Sequence, residues 1–239
     1  AITVNSAGTI SVDTANLLAA TTTGVITASI TTSETVDELK TLTGTGNAYT
    51  IVIAGGDATG STATEFTSIN GKTTVAVDAS AVTGLASDGA SQIITLLTAG
   101  NVTSEFSTNS FESLATATVS DSTLSVADLN VAISAANTAT SGTSTVFSLS
   151  AGATINTGAE SAFTTLLGYE TAGQVTISDQ NITVDSGELS VSNAILLNDT
   201  TTGTVTATIS SSSVDTLKTL TGTNAYTITI ASGDATGST

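Results

Sequence analysis

Carboxylates and hydroxyls are the only abundant side chains in this sequence that could do chemistry. The chain has 20 Asp and Glu residues but no His and no Cys, and its three basic residues are all lysines: Lys40, Lys72 and Lys218. The side chains that most often serve as general base, thiol nucleophile or imidazole ligand are therefore absent. Paired carboxylates alone can still cleave glycosidic bonds, so close acidic pairs are the candidates that need weighing.

Two groups of neighbouring acidic residues could supply such a pair. The first consists of Glu34, Asp37 and Glu38, and the second of Asp185 and Glu188. Acids in these positions are also expected where a helix is capped or where charge is simply solvated. We predict the second role, with no catalytic residue, and we predict that the chain is not an enzyme.

A metal site is the other chemistry that carboxylates suggest. Asp57 and Asp234 each lie in a GDATGST segment, where Gly residues and hydroxyls surround one acid. Such hard oxygen ligands suit Ca²⁺, although the segments match neither the EF-hand loop nor the glycine-rich repeat of calcium-binding β-rolls. We predict an ordinary turn, with a structural Ca²⁺ held by Asp57 and Asp234 as the alternative and no other cofactor.

The sequence repeats itself over a long period. Residues 2–62 recur at 182–239 with gaps of one residue at predicted turns, and TTTGVITASI at 21–30 returns as TTTGTVTATI at 200–209. Of the first acidic cluster only Asp37 persists, as Asp215, which argues against a catalytic pair. We predict one full repeat unit over 1–179 and the start of the next over 180–239, within a longer array.

A shorter rhythm runs inside this unit. Strand-like stretches rich in Val, Ile and Thr begin about 21 to 30 residues apart. Between several of them lie helix starts with a hydroxyl or amide side chain followed three residues later by an acid. The four pairs are Thr35 with Glu38, Thr62 with Glu65, Asn109 with Glu112, and Ser125 with Asp128.

These patterns predict a mainly-β fold, a parallel β-solenoid of stacked coils with short capped helices in some coils. In the segment after Thr35, the apolar residues Val36, Leu39 and Leu42 would share one helical face. A string of immunoglobulin-like β-sandwiches is the alternative, but the absence of Trp and Pro and the scarcity of hairpin turn pairs weaken it.

Composition restricts the partners. The net charge is −17, so the chain should repel nucleic acid and anionic lipid, whose binding depends on Lys and Arg. No apolar run approaches the roughly 18 residues that a membrane span needs. The hydrophobic fraction of 39% nevertheless indicates an ordered chain. The acidic, hydroxyl-rich, cysteine-free and repetitive character predicts an extracellular location, with divalent cations or surface polysaccharide as further partners.

Three segments carry a family resemblance. They are TGTGNAYTIVIA at 43–54, SINGKTTVAVDASAVTGLAS at 68–87 and SVADLN at 125–130. In them the sequence resembles the very large Thr/Ser-rich tandem-repeat surface and matrix proteins of aquatic bacteria, cyanobacteria especially. The resemblance implies export by type I secretion and a role at the cell surface, in a sheath or in the extracellular matrix. It identifies no functional residue.

Together these observations predict a structural repeat of an extracellular fibre, sheath or cell-surface matrix that associates end to end with copies of itself. The alternative is the stalk of a large bacterial adhesin whose ligand-binding domain lies outside this sequence.

Overall fold

The computed structural model describes residues 1–4, 8–54, 60–140 and 144–234. Twelve strands and eight helices occur in these ranges. The strands are β1 (Ile2–Thr3), β2 (Thr9–Ile10), β3 (Ile26–Ile30), β4 (Ala48–Thr50), β5 (Gly84–Asp88), β6 (Thr116–Val119), β7 (Thr123–Ser125), β8 (Val146–Leu149), β9 (Thr154–Asn156), β10 (Asn181–Leu189), β11 (Val205–Ser212) and β12 (Ala225–Ile230). The helices are α1 (Val12–Thr21), α2 (Val36–Leu39), α3 (Ala63–Asn70), α4 (Ala90–Gly100), α5 (Val126–Ala139), α6 (Glu160–Thr171), α7 (Val191–Thr200) and α8 (Val214–Leu217).

The fold is mixed α/β. Helix accounts for 33% of the structure and strand for 26%, and the strands form three small parallel sheets. The prediction of a mainly-β parallel solenoid with coils of 21–30 residues is therefore wrong. The alternative of immunoglobulin-like sandwiches is wrong as well, because such sandwiches are antiparallel. Each described helix follows a strand, as parallel strands require crossover connections.

Threonine explains much of this error. The sequence has 53 Thr, a residue that favours strands, but many of them lie in helices. There the hydroxyl donates to the carbonyl four residues earlier, as Thr67 does to Ala63 at 2.9 Å and Thr95 to Ser91 at 2.8 Å. This bond gives a β-branched residue a satisfied rotamer inside a helix. A high Thr content therefore does not decide between strand and helix.

The three sheets differ in size. In the first, β1 and β2 lie along one edge of β3, and β4 pairs with the other edge. The second has the order β12-β11-β10-β9-β7, and the third the order β5-β6-β8. β12 is thus the terminal strand of the largest sheet.

The chain divides into two compact units. The first comprises Ala1–Thr118 with Ser134–Val146, and the second comprises Val119–Ile133 with Phe147–Thr239. The division passes through β6, α5 and β8, so these three elements each contribute residues to both units.

The core of the first unit is made by alternate strand residues and by one face of each helix. Ile26, Ala28 and Ile30 of β3 are buried while the residues between them are exposed. Phe111 joins the packing through edge-to-face contacts with Phe66, at 5.9 Å between ring centroids, and with Phe106, at 5.1 Å. Such pairs add stability beyond their buried area.

The second unit is built in the same way. Burial alternates along the first part of β11, where Val205, Ala207 and Ile209 are buried and the threonines between them are exposed. Phe163 and Leu166 of α6 are fully buried, as is Leu197 of α7. The period of two in the strands and of three to four in the helices gives each element one apolar side.

The recurring sequence makes recurring strand pairs. Three aligned strands of each unit pair in the same parallel register. In the first unit β3 lies between β1 with β2 on one edge and β4 on the other, and in the second unit β11 lies between β10 and β12. The matching pairs are Ile2–Ile26 and Ile182–Val205, Ile10–Ile30 and Leu189–Ile209, Ala28–Tyr49 and Ala207–Tyr226. The copies at 2–62 and 182–239 therefore fold alike where both are described.

Candidate functional site

The first acidic cluster caps a helix. The Thr35 hydroxyl accepts from the Glu38 backbone N–H at 3.2 Å, and the Thr35 N–H donates to the Glu38 carboxylate at 2.7 Å. This is the reciprocal capping box at the start of α2. The backbone hydrogen bond from Thr35 holds the pKa of Glu38 below its ordinary value. The role that the structure gives Glu38 is structural.

Asp37 takes part in an ion-pair network on the same helix. The Lys40 Nζ lies 2.5 Å from the Asp37 carboxylate and 2.9 Å from that of Glu65 on α3. These hydrogen bonds, with that to Asp37 the larger cause, raise the pKa of Lys40 to about 12. The pKa of Glu65 is lowered, first by the Thr62 backbone hydrogen bond and then by Lys40. The network joins α2 to α3.

The second acidic cluster stabilises a turn. Asp185 accepts hydrogen bonds from the backbone N–H groups of Thr157, at 3.2 Å, and Gly158, at 3.0 Å. Thr157 has a φ of +57°, which is uncommon for a β-branched residue. Glu188 is exposed on β10. Asp185 thus fixes a strained turn in the neighbouring segment.

The candidate calcium ligands are only partly described. Asp57 lies outside the described residues. Asp234 is half-buried, and its carboxylate accepts a hydrogen bond at 3.1 Å from the Val214 N–H, at the first turn of α8. Among the described residues, no three acidic side chains gather closely enough to hold a metal ion. An ordinary turn in each segment stays the prediction, and a structural Ca²⁺ at Asp57 and another at Asp234 stay its alternative.

A shallow groove of about 280 Å³ runs between α3 and α4. It is lined by Thr64, Thr67, Ser68, Ser91, Gln92 and Thr95. None of these side chains carries a charge, and the hydroxyls of Thr67 and Thr95 already donate to carbonyls of their own helices. The groove offers no acid or base for catalysis.

One asparagine in each copy holds the neighbouring strand. The Asn47 side-chain oxygen accepts from the Ile26 backbone N–H at 2.9 Å, and Asn224 does the same for Val205 at the same distance. Asn47 is buried, where an unpaired N–H would be costly. These residues keep strands in register, which is a structural role that the NAYT motif alone does not reveal.

Strand β4, with the two isoleucines that follow it, differs sharply in burial from its counterpart β12. In the first copy Tyr49, Ile51 and Ile53 are at most 1% exposed. In the second copy Ile228 and Ile230, the counterparts of Ile51 and Ile53, are 48% and 47% exposed. The same side chains that form core in the first unit therefore lie open on β12.

The preceding helix shows the same contrast. Val36, Leu39 and Leu42 are buried, as the predicted helical face requires, whereas their counterparts in and after α8 are only half-buried. We call these open positions together the α8–β12 face. It consists of Val214, Leu217, Leu220, Tyr226, Ile228 and Ile230.

Sequence reasoning missed this face. The aligned copies predict which residues point to one side of β12, because side chains alternate along a strand. They do not predict which copy is covered, since that depends on tertiary contacts with residues outside the aligned copies. Among the described residues, the α8–β12 face is where side chains that are buried in the first copy are half-buried or exposed in the second.

None of the described helices has the length and apolar character that crossing a lipid bilayer requires. The chain matches no protein-family model, and no curated protein or solved structure is significantly similar to it.

Proposed function

We propose that this chain is a structural repeat of an extracellular fibre, sheath or cell-surface matrix, and that its copies associate end to end. The observation that carries the proposal is the α8–β12 face, where apolar residues stay open although their counterparts in the first copy are buried. An open, apolar edge strand is a template for pairing with another chain.

A second strand edge is available in the first unit. β1 and β2 are terminal in their sheet, lying along the edge of β3 that β4 does not use. Their counterpart β10 pairs with β9 on the corresponding side. Parallel pairing of β12 of one copy with β1 and β2 of the next would join copies without any further component.

The chemistry of the side chains supports a structural role. Glu38 caps α2, Asp37 belongs to the ion-pair network that joins α2 to α3, and Asp185 fixes the turn at Thr157. With three basic residues against 20 acidic ones, the surface carries hydroxyls and carboxylates and few reactive groups. These properties suit a matrix component outside the cell.

Association of the chain at rising concentration tests the proposal. We expect analytical ultracentrifugation to show oligomers that grow with protein concentration, and electron microscopy to show filaments. Replacing both Ile228 and Ile230 with Lys should abolish the oligomers, because charge on an edge strand blocks pairing. A chain that stays monomeric at every concentration would contradict end-to-end association and favour the adhesin stalk.

Leu196→Lys is the matched control. Leu196 is 52% exposed on α7 of the same unit, but it lies outside the α8–β12 face. We expect this variant to associate like the parent chain. Equal loss of association in both variants would point to general surface apolarity as the cause.

A further inference from the structure

In the first copy, the positions that correspond to the α8–β12 face are covered by another part of the chain. There α2 packs against α3, and the chain after α3 hydrogen-bonds to Ile51 and Ile53, so these counterparts are covered by residues 63–82. We call residues 63–82 the covering segment. An isolated parallel bridge pairs Val52 with Asp78, and this register sets Val77 beside Ile51 and Ala79 beside Ile53. Val77 and Ala79 are both at most 1% exposed.

Backbone groups of β4 and nearby residues are satisfied by the covering segment. The Ile53 N–H donates to the Asp78 carbonyl at 2.8 Å, and the Asp78 N–H donates to the Ile51 carbonyl at 3.0 Å. The Thr73 hydroxyl accepts from the Tyr49 N–H at 3.0 Å and donates to the Tyr49 carbonyl at 2.7 Å. The covering segment thus forms the strand-like neighbour of β4.

The corresponding groups of β12 face away from β11. Tyr226 pairs with Ala207 as Tyr49 pairs with Ala28, so the backbone N–H and carbonyl groups alternate in the same order along both strands. β12 is terminal in its sheet. Its outer edge therefore presents the donors and acceptors that β4 offers to Thr73 and Asp78.

The charge of Lys218 is complementary to an acidic residue of the covering segment. Lys40, the C-cap of α2, contacts both Asp37 of α2 and Glu65 of the covering segment. Its counterpart Lys218 lies 3.2 Å from Asp215, and among the described residues that is its one ion pair. If a helix with the sequence of α3 packed over α8, its counterpart of Glu65 would give Lys218 the second carboxylate that Lys40 already has.

We propose that the α8–β12 face binds a polypeptide segment with the sequence of residues 63–82, which adds a helix over α8 and a parallel strand beside β12. Three independent features fit this occupant: six apolar positions, the outer edge of β12 and Lys218. The inference rests on the proposed structural function and deepens it, because it names the segment that occupies the outer edge of β12 in place of the first strands of the next copy.

An extended chain tests this binding directly. Residues 233–239 have the sequence of residues 56–62, so a second copy of residues 63–82 can be appended after Thr239 without a linker. Hydrogen exchange is measured for the backbone amides of 226–230 at a concentration where the parent chain is monomeric. We expect exchange to slow by about tenfold or more relative to the parent, since covered strands open less often.

Two controls separate a specific fit from a general effect of added chain. An extension of the same composition in scrambled order should leave the exchange of 226–230 as in the parent. Replacing Ile228 and Ile230 with Thr should leave the parent chain folded, because both residues are exposed there, but should remove the protection from the extended chain. Equal exchange in the native and scrambled extensions would overturn the proposal.

Hydrogen exchange of the unextended chain at rising concentration tests the alternative that whole copies pair through β12. If its 226–230 amides become protected as concentration rises, together with those of 2–10, while the extension has no effect, then whole copies pair through β12 and the first strands. That result would overturn the covering segment as the occupant and leave end-to-end association standing. If the unextended chain does not self-associate but the extension protects the 226–230 amides, then end-to-end association is overturned and the covering segment stands as the occupant.

Discussion

The hydroxyl of Tyr49 is buried and has no hydrogen-bond partner among the described residues. Burial raises the pKa of this hydroxyl. Its counterpart in the second copy, Tyr226, donates to the Ala194 carbonyl at 3.4 Å, a long hydrogen bond. The two copies therefore give the same residue different polar surroundings, and they provide an internal comparison for its contribution to stability.

Removing the Tyr49 hydroxyl should not destabilise the protein. We expect Tyr49→Phe to raise the free energy of unfolding by up to about 1 kcal/mol, because an unpaired buried hydroxyl is costly. Tyr226→Phe is the matched control and should be neutral or slightly destabilising. Urea unfolding of both variants measures the difference, and a larger loss of stability at position 49 than at 226 would refute this explanation.

At the residue scale, the sequence predicts some roles well and others not at all. Burial of Val36, Leu39 and Leu42 follows from their spacing, and the structure confirms it. The Asn47 and Asn224 hydrogen bonds could not be predicted, because each joins residues about 20 positions apart across two strands. Short-range patterns determine which side of an element a residue occupies, whereas the partner of a polar side chain depends on tertiary contacts.

Helices α6 and α7 are joined through one carboxylate. Glu160, in the first turn of α6, accepts hydrogen bonds from the Ser190 hydroxyl, from the Ser190 N–H at 3.0 Å and from the Asn193 side chain at 2.6 Å. Ser190 is itself the N-cap of α7. These hydrogen bonds, led by that of the Ser190 hydroxyl, lower the pKa of Glu160.

This junction should depend on pH. Because the pKa of Glu160 is lower in the folded state than in the unfolded chain, its contribution to stability is present above the unfolded pKa, near 4.5, and is lost as pH falls through the folded value. We therefore expect Glu160→Gln to lose less stability than the parent between about pH 6 and about pH 3. Thermal unfolding across this range measures the slope.

A charge-matched control accompanies that variant. Glu188→Gln removes the same charge from an exposed position in the same unit. The difference between the two variants then reports the hydrogen bonds of Glu160 and not the change in net charge. Identical pH profiles for both would show that the junction contributes nothing to acid sensitivity.

At the element scale, the local capping signals were the most informative part of the sequence. The capping boxes of Thr35 with Glu38 and Thr62 with Glu65 are confirmed, and Ser125 accepts from the Asp128 N–H at 2.9 Å. Asn109 instead has a φ of +71° and starts no helix. The sequence predicts only short helices because Thr favours strands, yet its hydroxyl can bond back to its own helix and allow longer ones.

The charge of the whole molecule governs how copies approach one another. At −17, two copies repel over distances comparable to the Debye length, which is about 10 Å at 0.1 M salt and about 30 Å at 0.01 M. The six residues of the α8–β12 face are uncharged, so salt should act mainly on the approach of the chains and less on contacts made through this face.

Light scattering at several salt concentrations tests this expectation. We expect the second virial coefficient to be positive in low salt and to decrease as salt rises, with Mg²⁺ and Ca²⁺ acting alike at equal ionic strength if they only screen charge. A much stronger effect of Ca²⁺, removed by Asp57→Asn and Asp234→Asn, would support the alternative of structural Ca²⁺ at these residues. Salt-independent scattering would contradict repulsion between copies.

The equal strand registers of the two copies also bear on how such a gene can change in length. Recombination between the DNA encoding Thr21 and that encoding Thr200 would delete or duplicate 179 codons. Because Ile26 and Val205 occupy the same register against Ile2 and Ile182, the recombinant chain would pair its strands as before. Whole repeats could thus be gained or lost in a single genetic event without an unpaired strand at the junction.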